Sequence, residues 1–237
     1  MGITHGILQL RKIAFELRFH PSLLFYNEVN NIGHGLNEFY PDWQRNWNLI
    51  QFTDSNTDSY FFITYNRIAG EMDAPDSFQA FKYRIMKGTK IYRDKVPIEK
   101  INQIGVRFFW LCPVDFPFEE LNRIIQNKFY RPREELGKVL VSEFKDVAFF
   151  FDFEKVNNSF HFVFGPVRDK EIPERIQPIQ LITGEPKILE NPNVGIFYDI
   201  DCYTQEIHIN ELESFLDKGY DLVKEMVNGI TKFILEA

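Results

Sequence analysis

Residues 194–203 read "VGIFYDIDCY". In a strand, alternate side chains point to opposite faces, so Phe197, Asp199, Asp201 and Tyr203 share one face, and Tyr198, Ile200 and Cys202 the other. One face is wet and one is apolar. From Asn210 the chain continues "NELESFLDKGYDLVKEMVNGITKFILEA". There Leu212, Phe215, Leu216, Leu222, Val223, Met226, Val227, Ile230, Phe233 and Ile234 form one long stripe. Asn210 and Glu213 have capping-box spacing, and a helix of this length extends roughly 40 Å. A half-wet strand followed by a long amphipathic helix predicts a sheet covered by helices on one side.

Working outward from this stretch, a pattern recurs. "LRKIAFELRF" (10–19) reads as a strand, and "HPSLLFYNEVNNIGHGLNEFYPDW" as a helix that Ser22 can cap, with Leu24, Phe25, Val29, Ile32 and Leu36 at helical spacing. "WNLIQFTDSNTDSYFFITYNRI" follows as two strands around a polar turn. The order then repeats: strand "INQIGVRFFWL" (101–111), helix "PVDFPFEELNRIIQNKFYRP", hairpin "DVAFFFDFEKVNNSFHFVFG". This predicts an α+β fold: a mainly antiparallel sheet of about seven strands with helices on one side, a β-α-β-β pseudo-repeat and a long C-terminal helix. The chain reads as a single domain, 1–237, of two related halves, about 1–97 and 98–237. The alternative is a helix-grip fold, a curved sheet around the terminal helix with an apolar cavity lined by the Phe residues at 149–164. The connection 166–193 holds five of the twelve prolines, with one edge strand expected at "IQLI".

The second hairpin has an argued register. A two-residue turn at Asn157–Asn158 suits the positive φ that Asn tolerates. It sets Phe153 opposite Phe162, Phe151 opposite Phe164, and Glu154 opposite His161. One face becomes an aromatic ladder, and the other carries Asp152, Glu154 and His161.

Composition narrows the function classes. The chain has 237 residues, 25 of them Phe, and a formal charge of −7. An acidic protein is a poor partner for a phosphate backbone, which argues against nucleic acid. The one basic concentration, "KYRIMKGTKIYRDK" (82–95), reads as a solvated helix end and turn. Cys112 and Cys202 are far apart and form no C-x-x-C, so they read as buried thiols in a reducing compartment. "MGITHGILQLRK" has no signal-peptide pattern, and no apolar run reaches membrane-spanning length. A cytoplasmic protein without a membrane association is expected. There is no Walker A sequence, no G-x-G-x-x-G, no G-x-S-x-G and no H-E-x-x-H.

Three sets of residues remain as candidates. Asp199 and Asp201 are two carboxylates on one strand face, a pattern that suits a hard divalent cation such as Mg²⁺ or Mn²⁺. A metal site there would need further groups from neighbouring strands, such as Glu154 and His161 or Glu71 and Asp73. Glu154 and His161 form a potential ligand-binding or acid–base pair. Arg107, which occupies the place of Arg18 in the other half, suits an anionic group or pairing with nearby carboxylates.

Three marks resemble a known group: "IAFELRF", "INQIGVRFFWL", and "FYDIDCY" before a long terminal helix. They are similar to a sporadically distributed family of uncharacterised prokaryotic proteins of similar length. In that family the middle strand tends to read I-G-L-R-Y, whereas here it is "IGVRF", with Phe108 in place of a phenol. The resemblance implies one continuous domain with a fixed strand order, and carries no activity.

The residues favour a non-enzymatic binding or interaction module for a protein or an apolar ligand, with self-association through the long helix as one form of partnership and no resident cofactor. The alternative is a metal-dependent hydrolase centred on Asp199 and Asp201.

Overall fold

A computed structural model describes residues 6–130, 146–175 and 193–236. The expected strand at "IQLI" lies outside them. The described residues form an α+β fold on a nine-stranded sheet, antiparallel throughout. In chain order the elements are β1 (Gln9–Phe19), α1 (Leu24–Leu36), β2 (Asp42–Arg45), β3 (Leu49–Asp54), β4 (Ser59–Thr64), β5 (Arg67–Asp73), α2 (Phe78–Arg93), β6 (Lys100–Pro113), α3 (Phe118–Phe129), β7 (Phe149–Lys155), β8 (Asn158–Arg168), β9 (Val194–His208) and α4 (Leu212–Leu235). A one-turn helix, Ile172–Arg175, follows β8.

Among the described residues, nine strands replace the expected seven. The two additions are β2, which is only four residues long, and β5, whose "RIAGEMD" has Gly and acidic residues where a strand pattern wants apolar ones. With β5 included, the repeated unit lengthens from β-α-β-β to β-α-β-β-β-α. The sheet order is β2-β3-β4-β5-β1-β6-β9-β8-β7. Outward from the central β1–β6 pair, β5-β4-β3 on one side corresponds to β9-β8-β7 on the other.

Between the register shifts at Leu10/Lys12 and Arg18/Phe19, the odd residues of β1 and the even residues of β6 and β9 beside them face the helices. Ile13, Phe15, Leu17, Val106, Phe108, Ile200 and Cys202 are all essentially inaccessible. α4 lies directly on this layer: a Cβ added to Gly219 would sit 3.4 Å from Cys202 Sγ and 3.5 Å from Val106 Cγ1. That close approach is what the glycine permits. Among the described residues the sheet is open, ending at β2 and β7, and the helix-grip alternative is not observed. The aromatic ladder packs against helices: Phe129 of α3 meets Phe149 and Phe164 at ring-centroid distances of 4.7 and 5.3 Å. Tyr220 of α4 stacks on Phe78 of α2 at 4.2 Å. Both cysteines are buried, and burial pushes the Cys112 thiol up to about 11 and the Cys202 thiol up to about 12. No described helix is long and apolar enough to cross a membrane.

The second hairpin departs from its expected register. The turn is Val156–Asn157, both at positive φ (53° and 62°), not Asn157–Asn158. The pairs are Phe153–Phe160, Phe151–Phe162, Phe149–Phe164, Asp152–His161 and Glu154–Ser159. The offset is two residues, so every side chain keeps its expected face while every partner changes. Asn158 is instead buried at the start of β8, and Thr204 Oγ1 of β9 donates to the Asn157 carbonyl. The terminal cap also shifts: His208 and Glu211 form the capping box, not Asn210 and Glu213. Glu213 pairs with Lys82 of α2 at 3.0 Å.

Candidate functional site

The sheet face away from the helices carries the polar side chains of the central strands. Register alone builds a row across six strands: Glu71 (β5), Ala14 (β1), Arg107 (β6), Asp201 (β9), His161 (β8) and Asp152 (β7). One step along the strands, Glu16 faces Gly105, which in turn faces Tyr203. Beyond that, Arg18 faces Gln103.

These rows enclose a depression of about 210 Å³, open to solvent, whose lining includes Ala14, Glu16, Arg18, Gly105, Arg107 and Asp201. Its floor exists because Ala14 and Gly105 have almost no side chain. Glu16–Gly105 is the midpoint between Arg18 and Arg107, which lie two residues away in opposite directions on the antiparallel pair. The two arginines thus stand at opposite ends of the depression, about 13 Å apart along the strands. Their correspondence, legible in "ELRF" and "GVRF", is a correspondence in space.

Arg107 makes a bidentate bond with Asp199, Nε to Oδ1 at 2.7 Å and Nη2 to Oδ2 at 2.6 Å. Its guanidinium lies 5.0 Å from the Phe109 ring centroid. The bonds to Asp199 push the Arg107 pKa up further. Arg18 is held by Glu16, which also receives Arg67 Nη1 at 3.4 Å. Asp201 differs from both carboxylates: among the described residues it has no hydrogen bond and no ion pair. Burial pushes its carboxyl above the usual range; Arg107 and His161 pull it down, and Asp199 and Glu16 push it up. A carboxyl without donors that lines a depression is the chemically available group here.

The remaining candidates separate. His161 Nδ1 lies 2.8 Å from Asp152 Oδ1, so its partner is Asp152 rather than Glu154. Glu154 sits opposite Ser159, one step farther along the ladder, and is exposed. Glu71 is three strand spacings from Asp201, about 14 Å. It pairs with Lys12, whose Nζ lies 2.9 Å from Glu71 Oε2 and 3.3 Å from Asp73 Oδ1, in a cluster where Lys12 and Glu71 are nearly inaccessible. For a divalent cation the geometry is unfavourable, because both Asp199 oxygens are engaged by Arg107. Among the described residues no group of three or more His, Cys, Asp or Glu side chains is placed to hold a metal ion.

The basic stretch 82–95 lies mainly on α2, where Lys87, Lys90 and Arg93 line a groove of about 580 Å³ with Tyr83 and Met86. Lys90 is paired with Asp94, and Lys82 with Asp217. The stretch is thus largely helix surface. Sequence reasoning missed Gly105, Tyr203 and Glu16. The signal available for Glu16 was parity, since it shares the face of Arg18 on a strand whose other face is apolar. Compared with known proteins, the chain matches no protein-family model and no curated protein.

Proposed function

We propose that the chain is a non-enzymatic binding module for a protein partner, which it contacts through the open sheet face around the Glu16–Gly105 depression. The observation that carries this reading is the depression itself: a floor of Ala14 and Gly105, two arginines at its ends, and the Asp201 carboxyl on its wall. Its volume of about 210 Å³ suits one inserted side chain. Small-molecule sites are larger, roughly 300–1,000 Å³. Arginine and tyrosine are over-represented among residues that dominate protein interfaces, and Arg18, Arg107 and Tyr203 frame this one. A partner side chain with N–H donors would satisfy Asp201, which finds no donor within the described residues. An apolar ligand has less support, because the Phe residues on the helix side stack on one another and on α3.

The test is affinity capture from lysate of the source cells with four versions of the protein: wild type, Gly105→Leu, Arg18→Glu, and Lys90→Glu on the helix side as a control. A protein retained by wild type and control but lost from both depression variants supports the reading. The same set retained by all four, or none by any, counts against it. Circular dichroism and urea midpoints establish first that the variants are folded.

A further inference from the structure

The two edges of the sheet are not alike. β2 is four residues long with all four in exposed positions, a short edge of the kind that resists pairing. β7 runs seven residues, "FFFDFEK", and pairs with β8 at every one of them without a bulge. It contains no proline, and among the described residues no strand lies on its outer side. Phe150 and Phe151 are 62% and 43% exposed. A long, regular, aromatic edge is a template for an added strand.

We propose that β7 takes up an extended segment of a protein partner in which basic residues alternate with apolar ones. An added strand inherits the two-residue period of β7. Its residues on the helix side meet Phe149, Phe151 and Phe153, and favour apolar side chains. Its residues on the open side meet Phe150, Asp152 and Glu154, all exposed, and favour Lys or Arg, whose charge suits both the two carboxylates and the face of a ring. Among the described residues the one polar side chain in contact with either carboxylate is the His161 ring, beside Asp152.

A second copy of β7 fits poorly, and the reason is parity. Directly opposed residues in an antiparallel pair share a face, so a two-fold axis between the strands must lie level with one residue, which then opposes its own copy. With the axis at Asp152, the full ladder forms but Asp152 opposes its own copy. At Phe153, Asp152 opposes Glu154 twice. At Phe151 the ladder shrinks to five residues and Asp152 lies diagonal to its copy. Each register brings like charges together or gives up pairs, and the formal charge of −7 adds to the repulsion. A cationic strand avoids these costs.

The inference rests on the chain being a protein-binding module, but it concerns the sheet edge rather than the depression. The test is fluorescence anisotropy with a labelled eight-residue Lys–Val alternating peptide, its Glu–Val counterpart, and a Lys–Val peptide N-methylated at every second residue. Wild type should bind the first at least about tenfold more tightly than either other peptide, and Asp152→Lys/Glu154→Lys should reverse the charge preference. Equal binding of the N-methylated peptide would mean attraction without a backbone ladder and would overturn the inference, as would no binding of the Lys–Val peptide. A wild-type dimer in sedimentation that Phe151→Lys dissociates would assign the edge to a second copy and overturn it too. Gly105→Leu should bind the Lys–Val peptide as wild type does. Edge binding can therefore fail while the depression still captures its partner, and the reverse.

Discussion

Arg107 stands directly opposite Asp201 across the β6–β9 pair, yet it bonds to Asp199, its diagonal neighbour. The diagonal lets the planar guanidinium present two parallel N–H groups to one carboxylate while lying over Phe109. Among the described residues Asp201 is left without a donor.

The Arg107–Asp199 pair is asymmetric in exposure, 45% against 15%. Arg107→Ala should therefore cost about 1–2 kcal/mol, between an exposed and a buried pair. Arg107→Lys keeps the charge but not the fork, and should recover less than half of that. Urea midpoints of the two variants check this; equal stability of Arg107→Ala and wild type would remove the pair from the account.

Asp201 should make stability depend on pH in an unusual sense for a carboxyl. Its folded pKa is raised, chiefly by burial, so the native state holds the proton more tightly than the unfolded chain. The stability this contributes is present below the unfolded value, about 3.9, and is lost as pH rises through the folded value. Asp201→Asn should thus be more stable than wild type at pH 7, with the difference narrowing toward pH 4. NMR titration of the side-chain carboxyl provides the direct reading, and a value below the ordinary range would contradict it.

Lys12 is 1% exposed, between Glu71 and Asp73 on the otherwise wetter sheet face. Lys12→Met leaves two carboxylates together without their cation, and should cost about 3–5 kcal/mol at neutral pH. The loss should shrink in acid, because burial already raises the Asp73 carboxyl toward protonation. Denaturation at pH 5 and pH 7 separates this from simple loss of packing, which would be independent of pH.

Tyr198 Oη and Thr231 Oγ1 are 2.6 Å apart, joining β9 to α4 in the core. Thr231→Val strands the phenol and should cost about 1–3 kcal/mol. Adding Tyr198→Phe removes the stranded group and should restore part of the stability. Additive losses in the double variant would show that the hydroxyls do not act as a pair.

Because Arg107 holds both Asp199 oxygens, Mg²⁺ or Mn²⁺ should not bind at the Asp199–Asp201 strand. Native mass spectra before and after chelation are expected to coincide. A mass increment lost on chelation, and lost again in an Asp199→Ala/Asp201→Ala variant, would restore the metal-dependent hydrolase reading.

Much of this arrangement was legible in residue patterns. Parity placed Asp199 and Asp201 on one face and Ile200 and Cys202 on the other, and the structure keeps that division. Apolar spacing from Leu212 to Ile234 marked α4, and the ELRF–GVRF match marked Arg18 and Arg107 as counterparts. β5 escaped notice because "RIAGEMD" has no strand-like alternation; Glu71 becomes acceptable there only once Lys12 stands beside it. The hairpin offset escaped for a similar reason. Asn157–Asn158 is the better local turn, and Val at positive φ is costly. The turn chosen instead buries Asn158 and lets Thr204 bond the Asn157 carbonyl, a gain invisible from residues 156–158 alone.

Which face each side chain takes follows from residue order alone, because a period of two or 3.6 residues is a property of the local backbone. Which side chains meet is a property of the assembled sheet: Arg107 with Asp199, His161 with Asp152, Lys12 with Glu71. Those pairings depend on strand order and register, which are set by the summed burial of whole elements across the sheet.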